Sequence, residues 1–251
     1  MAIGEGALFV VVLACLLAAS LGSLVISLRL PAHHGNDETL NVVRLIANIF
    51  VVMTSLVLGL LINSAKNTLD TVDRNVHAFA ADLIMLDRLL QHYGPDASGA
   101  RQRLLVYAKR ADAMINEDQG TSANRDGEKM LNDVGAAVDS LKPPDAEHRA
   151  MLQSAQQQFV RVSELRWLIV GNTRGTIPAS LVVLVVASLM LVFASYAWRA
   201  PANVAVVASF LAASVLLTAA IVLILDMDRP FSGPVRVSAE SLMRAVAEMG
   251  Q

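Results

Sequence analysis

Leu45-Ile-Ala-Asn-Ile-Phe-Val-Val-Met-Thr-Ser-Leu-Val-Leu-Gly-Leu-Leu-Ile-Asn-Ser-Ala-Lys66 carries no charge before its last residue. A helix needs about 20 apolar residues to cross a hydrocarbon layer about 30 Å thick, so this stretch is long enough to span a membrane. Residues 7–28, 177–198 and 202–225 are likewise free of Asp, Glu, Lys and Arg. The 251-residue chain is 55% hydrophobic and only 17% charged, and most of its charge lies between Ala65 and Gly175. Soluble domains average roughly 45–50% apolar and about 25% charged residues. A secreted domain and a cytosolic enzyme are therefore excluded. The reading is an all-α protein with four transmembrane helices and a large helical insert between spans two and three. It divides into a first helix pair (1–64), a cytoplasmic helical domain (65–175), a second helix pair (176–226) and a C-terminal tail (227–251). The lipid bilayer is the first partner. A net charge of −2 offers no attraction to nucleic acid.

Lys and Arg accumulate on the cytoplasmic side of span ends. With four spans, the insert and both termini share one side, which holds Lys66, Arg74, Arg166, Arg174, Arg229, Arg236 and Arg244. The opposite loops hold Arg29, Arg44 and Arg199. Both termini and the insert are thus expected in the cytoplasm. Met-Ala-Ile-Gly-Glu at the start lacks the basic region of a signal peptide, so span one is read as uncleaved. The first outer loop reads as a turn, with Pro31 and Gly35 ending one helix and Asn36 or Asp37 capping the next. His33 and His34 in it are read as solvent-facing. The second loop, Arg199-Ala-Pro-Ala, makes spans three and four antiparallel neighbours, with Tyr196 and Trp198 at the membrane interface. Cys15 is the only cysteine, so no disulfide framework and no cysteine metal site exist.

In the insert, Leu69, Val72, Val76, Phe79, Leu83, Leu86 and Leu90 recur at alternating spacings of three and four, the seam of an amphipathic helix. No Gly or Pro separates this helix from span two, which predicts one continuous helix ending at Gly94-Pro95. A second insert helix is expected from Asp96 to about Glu117, stopping near Gly120, and a third from about Arg125 to Leu141, ended by Pro143-Pro144. A fourth starts with Asp145 as N-cap and runs toward span three, kinked by Pro178. The tail from Val237 is amphipathic through Leu242, Val246 and Met249, and is expected to pack on the insert or on a neighbouring subunit. Nothing alternates with period two, so no sheet is expected.

The chain has no P-loop, dinucleotide fingerprint, His-Glu-x-x-His or nucleophile elbow. No enzyme, no cofactor and no metal site is read from it. Its informative feature is span two. At about 100° per residue, Asn48, Val52, Ser55, Gly59, Ile62, Lys66, Asp70, Asp73 and His77 share one face. The stripe is small and polar at its outer end, apolar at Val52 and Ile62, and ionisable at its inner end. Uncharged polar groups inside a membrane mark either helix contacts or a water path. A pore lined by this face requires a symmetric ring, because four spans cannot enclose a channel alone.

After span four the chain reads Leu225-Asp-Met-Asp-Arg-Pro-Phe-Ser-Gly-Pro-Val-Arg-Val-Ser. Asp226 and Asp228 stand at the inner membrane boundary, where they can pair with Arg229, cap the following turn or bind a cation through oxygen ligands. Pro230 and Gly233 enforce a sharp turn that lays Phe231 against the bundle. With span two, this Asp-x-Asp-x-Pro-Phe-x-Gly pattern resembles the bacterial bestrophin-like domain family of integral membrane proteins. The likeness covers nearly the whole layout of two spans, a helical insert, two spans and a short tail. It implies distant similarity to bestrophins, which are pentameric anion channels lined by their second span. It also implies placement in the bacterial inner membrane as a multi-pass protein, with small ions and further copies of itself as partners. In bestrophins a Pro-Phe-Gly turn is followed by acidic residues that help bind calcium. Here no acidic run follows the turn at Pro230, Phe231 and Gly233.

Two functions from different classes follow. One is an oligomeric ion channel, anion-preferring through Lys66, whose pore is lined by span two and continues into a cytoplasmic vestibule. The other is a non-conducting membrane sensor or scaffold whose insert binds a partner or ligand. Alternating-access transport is disfavoured, because no pair of spans is interrupted by Gly and Pro.

Overall fold

The computed structural model describes residues 5–29, 37–116, 121–171, 175–198, 200–201, 203–231, 235, 237–238 and 240–250. Among them the regular structure is helical: α1 (Glu5–Arg29), α2 (Asp37–Tyr93), α3 (Ser98–Asn116), α4 (Thr121–Asp139), α5 (Ala146–Gly171), α6 (Ala179–Ala197), α7 (Val204–Met227) and α8 (Glu240–Met249). Four stretches are long and apolar enough to cross a membrane: Gly6–Ser27, Asn41–Tyr93, Ala179–Ala197 and Val204–Met227. The readings at Pro31, His33, His34, Gly35, Asn36, Glu117, Gly120, Arg174, Arg199, Gly233 and Arg236 lie outside the described residues.

The second span and the first insert helix are one uninterrupted helix, α2. Gly59 is its one glycine and it holds no proline, so nothing in its interior interrupts the hydrogen-bond ladder. It stops where Gly94 turns to φ 106°, a left-handed conformation open to glycine, followed by Pro95 and a short 3-10 turn, Pro95–Ala97. Asp96 therefore sits in that turn, and α3 begins only at Ser98.

By its contacts the chain forms two compact units. One comprises residues 1–67 and 175–228. Here α1 packs against α6 and α7. Val12, Leu16, Leu61, Ala65, Val185, Leu189, Ile221 and Ile224 form its apolar core. Polar ties join its helices: Ser23 Oγ donates to the Ala194 carbonyl at 2.7 Å, and Thr54 Oγ1 to Ser188 Oγ at 2.8 Å.

The other unit comprises residues 68–174 and 229–251. Its core takes the α2 seam Val72, Val76, Phe79, Leu83, Leu86 and Leu90, all buried, with Leu69 partly buried beside them. Leu104, Tyr107, Val134, Val138, Leu152 and Val162 from α3, α4 and α5 complete it. The tail also enters: Leu242, Ala245 and Met249 of α8 are buried in the same core, and Phe231 packs on it. The Val237 N–H donates to the Pro230 carbonyl at 2.8 Å. Asp145 caps α5, its Oδ1 accepting from the His148 N–H at 2.8 Å.

Two further helix boundaries differ from expectation. α4 runs Thr121–Asp139, earlier than the expected Arg125 to Leu141. α5 ends at Gly171 and α6 begins at Ala179, with Pro178 as the extended residue before it. A proline pushes the residue before it out of the helical region, so Pro178 begins a new helix where a kink in a longer one was expected.

Candidate pore-lining face and inner turn

Three sectors divide the membrane part of α2. Ala47, Thr54, Leu61 and Ala65 are buried against the rest of their own unit. The stripe lies about 110° around the helix from them. On it Asn48, Val52, Ser55, Gly59, Ile62 and Lys66 are all exposed, Val52 by 60% and Ile62 by 47%. About 90° further on, Leu45, Ile49, Leu56 and Leu60 form an exposed apolar face. The polar stripe is thus neither packed into its own bundle nor part of the apolar face.

Individual side chains refine this. Gly59 has no neighbouring atom within 4 Å of the position a Cβ would take. It therefore provides no close helix approach within the protomer. Ser55 Oγ donates to the Val51 carbonyl of its own helix at 2.8 Å. Asn48 differs from the rest of the stripe: its Oδ1 accepts a hydrogen bond from the Tyr196 hydroxyl of α6, which fixes the side chain toward that helix. Asp70 and Asp73 are half-buried further along α2. His77 Nδ1 lies 2.9 Å from the Asp73 carbonyl oxygen and 3.7 Å from its carboxylate.

At the turn after α7, Asp228 makes its contacts with a segment distant in the chain. Asp228 is 3% exposed. Its Oδ1 accepts from the Thr176 N–H at 3.0 Å and from the Thr176 hydroxyl at 2.7 Å, and its Oδ2 from the Ile177 N–H at 3.0 Å. These partners precede α6, and nothing in the local pattern around Asp228 points to them. Asp226 is also buried, two residues earlier on α7, so the two carboxylates project about 160° apart. Among the described residues no three His, Cys, Asp or Glu side chains gather to hold a metal.

The layout of four spans, the α2 stripe and the turn after α7 agrees with one further observation: the family model of the bestrophin-like domain matches residues 14–242. The chain belongs to the bestrophin-like family. The match runs from within α1 to the start of α8, taking in the whole stripe and the Asp226–Phe231 turn. Family and helices together make this a membrane-embedded protein related to channels. No curated protein and no solved structure matches the chain.

Two polar clusters in the second unit escaped the sequence reading. Asp87, 7% exposed at its side chain, takes a bidentate pair from Arg101 at 2.8 and 2.9 Å. That contact holds the Arg101 guanidinium above its usual value. Burial likewise pushes the Tyr107 phenol up, against the opposing effect of Arg166. An Asp and an Arg fourteen positions apart gave no signal of the first pair. Only the packing of α3 on α2 brings them together.

Proposed function

We propose that the protein is an oligomeric membrane ion channel with a weak preference for anions. A ring of subunits, pentameric by analogy with bestrophins, sets α2 around the axis. Small ions pass along Val52, Ser55, Gly59, Ile62 and Lys66 and then past Asp70 and Asp73 into a cytoplasmic vestibule, with both termini on that side of the bacterial inner membrane. The observation that carries this reading is the three-sector division of α2. A lining helix in a ring needs one side against its own subunit, one side for a neighbour, and between them a face toward the axis. The buried, polar and apolar sectors supply these in that order, separated by about 110° and then about 90°. A helix that only anchors a scaffold has no use for an exposed polar stripe between two apolar sides.

The chemistry of the stripe sets the expected selectivity. A ring gathers several Lys66 ammonium groups one turn inside Ile62, and clustered positive charge admits anions. Asp70 and Asp73 follow one and two turns deeper and oppose it, so the preference is weak. Val52 and Ile62 are the apolar constrictions, and rings of such side chains stop ions by dewetting. Asn48, held toward α6 by Tyr196, is the stripe residue least free to face the axis.

The test is bilayer recording of the purified protein under a chloride gradient. Current should flow, Ile62→Ala should raise it, and Lys66→Glu should move the reversal potential toward cations. Silence from both wild type and Ile62→Ala rejects conduction and leaves the sensor or scaffold reading in its place. Current with an unmoved reversal potential in Lys66→Glu rejects this lining. Native mass spectrometry showing only monomer rejects the ring.

A further inference from the structure

We infer that Asp228 is a metal-free anionic clamp, joining the end of α7 to the segment that starts α6. Pro178 gives α6 no side-chain cap, and the Thr176 and Ile177 N–H groups just ahead of this helix donate to an acceptor from elsewhere in the chain. Asp228 provides it with both oxygens, and the Thr176 hydroxyl adds a third bond. A carboxylate near a helix N-terminus is further favoured by the helix dipole. Gly175 belongs to the same device. A Cβ there would lie 2.5 Å from Asp228 Oδ2, so glycine lets the backbone come close enough for the adjacent N–H groups to reach the carboxylate.

The same geometry argues against a divalent cation at this turn, the role that an Asp-x-Asp pair otherwise suggests. Calcium takes six to eight oxygen ligands, and a carboxylate has about four acceptor positions. Three of those on Asp228 are filled by protein donors that would be pushed against the cation. Asp226 projects to another side of α7 and supplies no second ligand at the same point.

The inference is independent of conduction and is read from thermal unfolding of the full-length protein in lipid nanodiscs. Asp228→Asn puts an amide NH2 against a backbone N–H and should lower the midpoint by about 4–8 °C. Thr176→Val and Gly175→Ala should lower it by less, and Thr176→Ser should melt like wild type. Combining Asp228→Asn with Thr176→Val should cost less than the sum of the two, because they share a bond. Millimolar calcium, compared with chelator, should leave the wild-type midpoint unmoved. Midpoints of Asp228→Asn and Gly175→Ala equal to wild type would overturn the clamp. A calcium-dependent rise in wild type that Asp228→Asn abolishes would make Asp228 a ligand instead. If Asp228→Asn does not fold, Thr176→Val against Thr176→Ser and the wild-type calcium comparison still decide.

Discussion

Thr54 in α2 donates its hydroxyl hydrogen to Ser188 Oγ in α6 at 2.8 Å, and Ser188 in turn donates to the Val185 carbonyl of its own helix at 2.8 Å. Both side chains are buried, so the chain of donors ends inside the spanning unit and fixes how α2 meets α6. Thr54 lies on the sector that faces the bundle, about 120° from the exposed stripe. This contact therefore sets the rotation of α2 and with it the direction of Val52 and Ile62. A double-mutant cycle of Thr54→Val and Ser188→Ala, followed by unfolding in nanodiscs, should give a coupling of about 0.6 kcal/mol, as for interhelical hydrogen bonds in membranes. A coupling of zero would remove Thr54 as a determinant of helix rotation.

Gly59 separates packing from lining. Since nothing stands within 4 Å of its missing Cβ, Gly59→Ala should leave the fold intact and add up to about 1 kcal/mol through helix propensity. Gly59→Leu should be tolerated in the protomer yet cut current by narrowing the ring. Loss of stability in Gly59→Ala would show that the glycine serves a close helix contact between subunits.

The Asp87–Arg101 pair is buried on one side only, since the Arg101 side chain keeps 30% exposure. Removing the carboxylate leaves a guanidinium facing an apolar core without its partner. Asp87→Ala should lower stability by about 3 kcal/mol, the low end for a broken buried pair because Arg101 can turn toward water. Chemical denaturation followed by circular dichroism would measure it, and a change under 1 kcal/mol would place the pair with ordinary surface bridges, whose worth is about 0–1 kcal/mol.

Asp145 makes the start of α5 sensitive to acid. The His148 backbone N–H, then its ring, holds this carboxyl below its usual value. A carboxyl depressed in the folded state contributes stability that is full above its unfolded value, near 3.9, and that disappears as pH falls through the lower folded value. Asp145→Asn keeps a capping oxygen but no titrating group. Its acid-unfolding curve below about pH 4 should be shallower than that of wild type. Superimposable curves would mean that the cap carries no linked proton.

Topology is checked with Cys15→Ser as background and a single cysteine at Ser98, an exposed position at the start of α3. An impermeant thiol reagent applied to intact cells should fail to label it and should label it after permeabilisation. Labelling of intact cells would place residues 65–175 outside.

Local pattern made much of this protein legible. Four charge-free runs gave the spans, and the three-four seam from Leu69 to Leu90 marked the face that is buried in the insert core. The lack of a break before Gly94 foretold the single helix α2. Asp145 before its helix read correctly as a cap. Periodicity, capping and turn chemistry act over one or two turns of chain, so they show in the sequence itself. The clamp from Asp228 to Thr176 spans 52 positions, Thr54 to Ser188 spans 134, and Arg88 to Glu248, which helps hold α8 to α2, spans 160. No local rule selects such partners. The sequence leaves Asp228 open to Arg229, to a cap or to a cation, and the fold brings the Thr176 and Ile177 backbone N–H groups to it, as it brings Tyr196 to Asn48. Which faces exist was set by composition and spacing along each helix. Which face meets which was decided by tertiary packing, because satisfying buried donors and apolar surface is a property of the assembled bundle.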